Sequence, residues 1–305
     1  MSNTTITLTA HAKINLTLDV TGVRPNGYHD VEMVMQSIGL YDELTAKRTT
    51  GNELSLSCRF SNSLGGLTLP TGPKNLVCKA ALAFFDACRK EGKLKRELPE
   101  NTGVDFTLIK NIPAEAGMGG GSTDAAAALR ALNILFETGF STEELCQIGA
   151  GVGADVPFCV LGGTALAKGI GEILTPLPDA PDTHLLLVKP PVGASTKEIY
   201  DGLVLDENTV HPDTAGMIKA LETKDYDLMC AKLSNILEPV TIGLLPVIGE
   251  IKKKIIDLGA DAALMSGSGS TVFGMFKDKE KALAALEYFK SSKELYCTLT
   301  DFYEE

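Results

Sequence analysis

Ile112-Pro113-Ala114-Glu115-Ala116-Gly117-Met118-Gly119-Gly120-Gly121-Ser122-Thr123-Asp124 is the stretch that decides how this chain folds. Four of the five residues from 117 to 121 are glycine. Before the loop, 104–109 reads as a strand, and after it Ser122-Thr123-Asp124 opens an Ala-rich helix to about Glu137. A helix start after such a loop presents unpaired backbone N–H groups where the helix dipole is positive, which makes an anion site. Glycine suits it because a Cβ would hold the backbone away from a phosphate oxygen. A flexible loop with a helix cap is the plainer alternative, and the strand before and helix after favour phosphate. The Walker A spacing occurs nowhere in the chain. The dinucleotide pattern GxGxxG fails because Ser122 stands where its third Gly belongs, and the HRD and DFG of protein kinases are missing.

Upstream of the loop, Ile6, Leu8 and Ala10 alternate with Thr. Then Ile14, Leu16, Leu18 and Val20 alternate with Lys13, Asn15, Thr17 and Asp19. A period of two places the aliphatic set on one face, so Lys13 and Asn15 are expected side by side on the non-core face. Pro25-Asn26-Gly27 is a turn signal leading into an extended run over 31–35, and 54–60 is another alternating strand. Asn75 reads as the N-cap of a helix carrying Leu76, Val77, Ala80, Ala81, Phe84, Phe85 and Cys88 at helical spacing. Ser141 and Glu144 form a capping box.

A second half begins around 160–185, with a strand at 185–188 and helices over about 214–223, 225–238 and 246–258. Strands follow near 262–265, 271–276 and 295–300. Strands and helices interleave without a regular βαβ period, so the fold class is α+β. A length of 305 residues suits two domains, placed at 1–165 and 166–305.

With 44% hydrophobic and 22% charged residues the chain has ample material for a core. A net charge of −11 argues against broad binding to nucleic acid or anionic membranes, leaving small molecules as the expected partners; oligomeric state is not legible. The seven cysteines are odd in number and have no CxxC pair, which fits free thiols in a reducing compartment. The four histidines form no HExxH, so a transition-metal centre has little support. Residues 1–10 do not read as a targeting segment, and no apolar run reaches the ~18–20 residues of a membrane span. A cytoplasmic location is expected.

The quoted loop resembles the ATP-binding motif of the GHMP kinase superfamily. Ala12-Lys13-Ile14-Asn15-Leu16 resembles that superfamily's first motif, and Ser266-Gly267-Ser268-Gly269-Ser270-Thr271 its third. Arg24-Pro25-Asn26-Gly27-Tyr28-His29 and Gly153-Ala154-Asp155-Val156-Pro157 resemble a narrower branch whose acceptor alcohol carries a cytidine. Two residues depart from the pattern. Ser270 stands where the third motif commonly has Pro, and Glu115 puts a carboxylate into a loop that usually carries small residues.

The resemblance implies a two-domain α+β kinase, ribosomal-S5-like at the N-terminal side and ferredoxin-like at the C-terminal side. ATP is the implied co-substrate, with Mg²⁺ entering as its complex. Pro113, Ala114, Glu115, Ala116, Gly117, Met118, Gly119, Gly120, Gly121, Ser122 and Thr123 would hold the nucleotide. Taken alone, Asp155 reads as a turn cap and Lys13 as a solvated strand residue; the resemblance makes them the general base and the cation that supports the developing alkoxide. Ser122 reads as an N-cap or as a hydroxyl for phosphate and its Mg²⁺. Tyr28 and His29 read as rim packing or, by resemblance, as a hold on cytosine, with Tyr200 covering the other face of the ring and Thr196 nearby. Asn15 completes the implied acceptor set. The alternatives are a GHMP kinase of the mevalonate or homoserine type and a non-catalytic ligand-binding relative.

Overall fold

The computed structural model describes residues 4–25, 27–51, 53–61, 69–93, 102–193 and 195–304. Asn26 and Ala194 lie outside the described residues. The chain sorts into two compact units. The first comprises Met1–Ala12, Tyr41–Ile112 and Gly119–Leu161, and the second Lys13–Leu40, Pro113–Met118 and Gly162–Glu305. The units do not follow chain order, because β1 (Thr5–Val23) and β2 (His29–Thr50) each supply a segment to both.

In the first unit, β3 (Leu54–Phe60) runs parallel to β4 (Thr102–Lys110), and β4 pairs antiparallel with the end of β2, Glu43 opposite Ile109. The described helices of this unit are α1 (Leu76–Glu91), between β3 and β4, and then α2 (Gly120–Leu135), α3 (Thr142–Ala150) and α4 (Val156–Leu161). Their starts are written locally. Asn75 accepts from Val77 N at 2.9 Å, and Ser141 and Glu144 make both bonds of the expected capping box. Phe84, Phe106, Leu108, Leu129 and Leu132 form the core, and residues 125–128 of α2 are all buried alanine. Small side chains there let the neighbouring elements approach closely.

In the second unit β2 pairs antiparallel with β5 (Thr164–Gly169), which continues to β6 (Ile173–Pro176). Then come β7 (His184–Lys189), α5 (Thr196–Asp201), α6 (Thr214–Glu222), α7 (Tyr226–Lys232) and β8 (Ser234–Asn235). The chain ends with α8 (Glu238–Leu244), α9 (Val247–Asp257), β9 (Ala262–Met265), β10 (Val272–Phe276), α10 (Lys279–Lys290) and β11 (Tyr296–Asp301). The last sheet has the order β11-β7-β10-β9, antiparallel throughout. A strand, helices, two strands, a helix and a strand in that order form a ferredoxin-like unit.

Three sequence expectations need correction. The polar face of β1 is not solvated: Lys13 is 5% exposed and Asn15 0%, and Thr17 and Asp19 are buried too. The helix expected over 225–238 stops at Lys232, because Ser234 and Asn235 pair parallel with Thr17 and Leu18 of β1 instead. The helix expected to open at Ser122 begins at Gly120.

Candidate active site

In the first unit, α2 begins after Gly119, which sits at φ 68 and contributes no side-chain cap. The helices α1 and α3 of the same unit both start on a side-chain cap. The first-turn N–H groups of α2 are thus left for an outside acceptor, which suits phosphate. Ser122, inside that first turn rather than capping it, is half-buried. Thr123 is buried, and its hydroxyl donates to His11 O at 2.6 Å, tying α2 to β1.

Beneath this helix start lies a buried ion cluster that sequence reasoning missed. Lys110, the last residue of β4, donates to Asp42, to Asp124 Oδ2 at 2.8 Å and to Gly120 O at 3.4 Å. Asp42 Oδ1 also accepts from the backbone N–H of Asn111 at 2.5 Å and of Ile112 at 2.8 Å. One cluster therefore fastens both shoulders of the glycine loop, its entry at 111–112 and its exit at Gly120. Asp124 Oδ1 is buried without a hydrogen-bond partner, and burial pushes this carboxyl up to about 8 against the opposing pull of Lys110. No local signal could have revealed the cluster, since Asp42 and Lys110 are 68 positions apart in the chain.

Asp155 occupies the turn between α3 and α4 and is half-buried. Its carbonyl accepts from Cys159 N at 3.1 Å, the first turn of α4, while Val156, Pro157 and Phe158 behind it are buried.

The second unit holds the other residues. Lys13 Nζ donates to Asn15 Oδ1 at 2.8 Å, and Asn15 Nδ2 reaches Met33 Sδ at 3.1 Å. The backbone N–H of Lys13 donates to Met118 O at 3.1 Å, which fixes β1 to the loop residues of this unit. Pro113, Ala116 and Met118 are buried, Ala114 and Gly117 half-buried and Glu115 exposed. Ser266 Oγ donates to Gly117 O at 2.9 Å, and Thr271 N to Ala116 O at 3.3 Å, so the 266–271 loop lies directly on the 113–118 segment. Gly117 sits at φ 71, and a Cβ there would run into Ser266 O, so this approach requires glycine.

Asn235 was also missed. It donates to Met265 O at 2.9 Å and Gly267 O at 2.7 Å, and it accepts from Leu237 N at 3.0 Å. It thereby holds the 266–271 loop from the break in the expected helix.

The rings of His29 and Tyr200 lie 4.9 Å apart and are tilted by 51°. Tyr28 is 57% exposed. Thr196, at the start of α5, shares a 3.0 Å hydrogen bond with Ser268. Residues far apart in the chain, 29 and 200, 196 and 268, are thus brought together. No group of three or more His, Cys, Asp or Glu among the described residues has metal-binding geometry. Nor is any described helix long and apolar enough to cross a membrane.

The family model for the GHMP kinases N terminal domain matches residues 75–163, and that for GHMP kinases C terminal matches 217–294. Near full-length likeness is narrower. The chain is 48% identical over 285 residues to the 4-diphosphocytidyl-2-C-methyl-D-erythritol kinase of Lachnoclostridium phytofermentans, covering 93% of this chain and 92% of that one. It belongs to the 4-diphosphocytidyl-2-C-methyl-D-erythritol kinase family of GHMP kinases. As a member of this family it is a small-molecule kinase with an alcohol acceptor.

A solved structure of a 4-(cytidine 5'-diphospho)-2C-methyl-D-erythritol kinase matches with a TM-score of 0.77 at 28% identity, covering 98% of this chain and all of that one. The homoserine kinase of Cytophaga hutchinsonii has the same TM-score, 0.77, at 17% identity, over 99% of this chain and 96% of that one. The fold is therefore common to kinases with different acceptors. Acceptor choice has to be read from the site residues.

Proposed function

We infer that this chain transfers the γ-phosphoryl group of ATP to the 2-hydroxyl of 4-diphosphocytidyl-2-C-methyl-D-erythritol, a step of the non-mevalonate route to isoprenoid precursors. The acceptor oxygen forms a bond to the γ-phosphorus, and the bond from that phosphorus to the β–γ bridging oxygen breaks. ADP leaves with the electron pair, and the hydroxyl proton goes to Asp155. Lys13 supports the negative charge as it develops. Such a base and cation need no covalent enzyme intermediate, which suits a reaction dominated by positioning and charge stabilisation. The loop over 113–123 holds the triphosphate, with the uncapped start of α2 as its anion site. Mg²⁺ arrives on the nucleotide, and the Ser122 hydroxyl is assigned to a phosphate oxygen or its metal.

The observation that carries this reading is the juxtaposition of His29 and Tyr200. An acceptor without a nucleobase has no use for an aromatic pair drawn from such distant parts of the chain, whereas cytosine needs stacking faces and a hydrogen-bonding edge. Tyr28, Asn15 and Thr196 complete the acceptor set. The same reading divides the chain into an N-terminal domain, 1–165, which carries the ATP-binding loop, and a C-terminal domain, 166–305, which carries Thr196 and Tyr200. The two family models, at 75–163 and 217–294, fall on either side of that division. An odd count of seven cysteines with no CxxC pair and a net charge of −11 support a cytoplasmic enzyme of small molecules that binds neither nucleic acid nor membrane.

The test is kinetic. Tyr200→Ala should raise KM for the cytidylyl acceptor roughly 5- to 150-fold, the range that one stacking face contributes. KM for ATP should barely move, and His29→Ala should relax discrimination between cytidylyl and uridylyl analogues. A lower melting temperature with selectivity intact would reduce the pair to packing and remove the cytidylyl-specific part of the assignment.

A further inference from the structure

The two residues that depart from the superfamily pattern, Glu115 and Ser270, meet the same short piece of chain. Ser270 is fully buried, and its hydroxyl donates to Val192 O at 2.5 Å. That carbonyl also accepts from Lys189 Nζ at 3.3 Å, and the same ammonium donates to Pro190 O at 3.1 Å. Next to Val192 stands Gly193, where an added Cβ would fall 2.5 Å from Glu115 Oε2 and 3.3 Å from Glu115 Cβ. The Glu115 side chain thus occupies the space that a side chain at 193 would take. Lys189 is 9% exposed; burial lowers its pKa and the Glu115 charge opposes that shift. Glu115 itself is held at φ 50, a left-handed conformation that costs a non-glycine residue roughly 1–2 kcal/mol. Nothing in its own loop demands a carboxylate there.

The 190–193 segment leads into Ser195, the N-cap of α5, and α5 carries Thr196 and Tyr200. Thr196 is tied in turn to Ser268, two residues from Ser270. Ser270 therefore meets the segment before α5 from the third-motif loop, and Glu115 meets it from the ATP loop, at adjacent residues.

We propose that Glu115 and Ser270 are a coupled pair of positioning residues for the acceptor: through Val192 and Gly193 they set where α5 starts, and so where Thr196 and Tyr200 meet the cytidylyl group. This rests on the assignment of α5 to the acceptor given above.

Kinetics on the full chain tests the pair, with Ser270→Ala, Glu115→Gly and the double variant. Glu115→Gly removes the carboxylate and also relieves the left-handed strain, so it separates positioning from stability. Each single variant should raise KM for the cytidylyl acceptor about 3- to 10-fold, the size of one lost hydrogen bond or contact. KM for ATP should stay within about twofold in Ser270→Ala, and the melting temperature of Glu115→Gly should be unchanged or higher. Because both act through adjacent residues of one segment, the double variant should fall clearly short of the product of the two single effects, since independent sites multiply. Acceptor KM values that multiply, or that do not move while the melting temperature drops, would overturn the proposal. Tyr200→Ala is the control. If it raises acceptor KM while the pair has no effect, only the coupling fails; if it has no effect either, the acceptor assignment of α5 fails and this inference with it.

Discussion

Lys13 and Asn15 are two residues apart on β1, joined by a 2.8 Å hydrogen bond and both shielded from solvent. Burying an ammonium on a strand is costly unless its neighbours compensate, and the carbonyl of Asn15 is one of those partners. Lys13→Met should therefore act twice. Losing a positioned cation should lower kcat about 10²- to 10³-fold, as for other transition-state charge stabilisers. Leaving Asn15 Oδ1 without its donor should destabilise the fold by about 1–3 kcal/mol. Steady-state kinetics and a denaturant melt measure the two effects separately, and a near-normal kcat would remove Lys13 from the chemistry.

Asp155→Asn keeps the shape of the side chain and removes its ability to take a proton. kcat should fall ~10²–10⁴-fold with ATP affinity little changed. Retention of more than about a tenth of wild-type kcat would exclude Asp155 as the dominant base.

The glycine loop predicts a different split. Gly119 sits at φ 68 as the N-cap of α2, where a β-branched residue is strained and would also crowd the helix start. Gly119→Val should weaken ATP binding while the cytidylyl acceptor still binds. Calorimetry on both ligands decides this: equal loss of both would indicate misfolding, and unchanged ATP affinity would contradict the phosphate role of the loop.

What was legible in the sequence was local. The cap at Asn75 and the box at Ser141 and Glu144 are read within one helical turn, and both form as read. The strands of the last sheet were placed close to their observed bounds, because apolar runs such as 185–188 and 272–276 have no other home. What failed depended on distant partners. Alternation along β1 located the aliphatic face correctly but could not show that Lys13, Asn15, Thr17 and Asp19 would be covered as well. Helical spacing over 225–238 could not foresee that Asn235 would leave the helix to hold Met265 O and Gly267 O. The strands β5 and β6, flanked by glycines and a proline, carry too little pattern to read alone.

The Lys110 cluster predicts a pH signature. Asp124 is held protonated in the folded state well above its ordinary carboxylate range, so between about pH 4 and 8 the folded chain binds a proton that the unfolded chain does not. This group's contribution to stability is fully present below the unfolded pKa and is lost as pH rises to about 8. Asp124→Asn has no such proton to take up. Its stability relative to wild type should therefore climb with pH across that window, by at most ~1.4 kcal/mol per pH unit, and level off above it. Urea melts at pH 5, 6, 7 and 8 would show it, and a difference independent of pH would contradict it.

The central claim is that this kinase acts on a cytidylyl-bearing alcohol, and an ADP-release assay tests it most directly. Purified protein, ATP and Mg²⁺ would be offered 4-diphosphocytidyl-2-C-methyl-D-erythritol, mevalonate and homoserine in parallel. Turnover with the cytidylyl alcohol and none above background with the other two is the predicted result. ADP release with mevalonate or homoserine, and none with the cytidylyl alcohol, would contradict it.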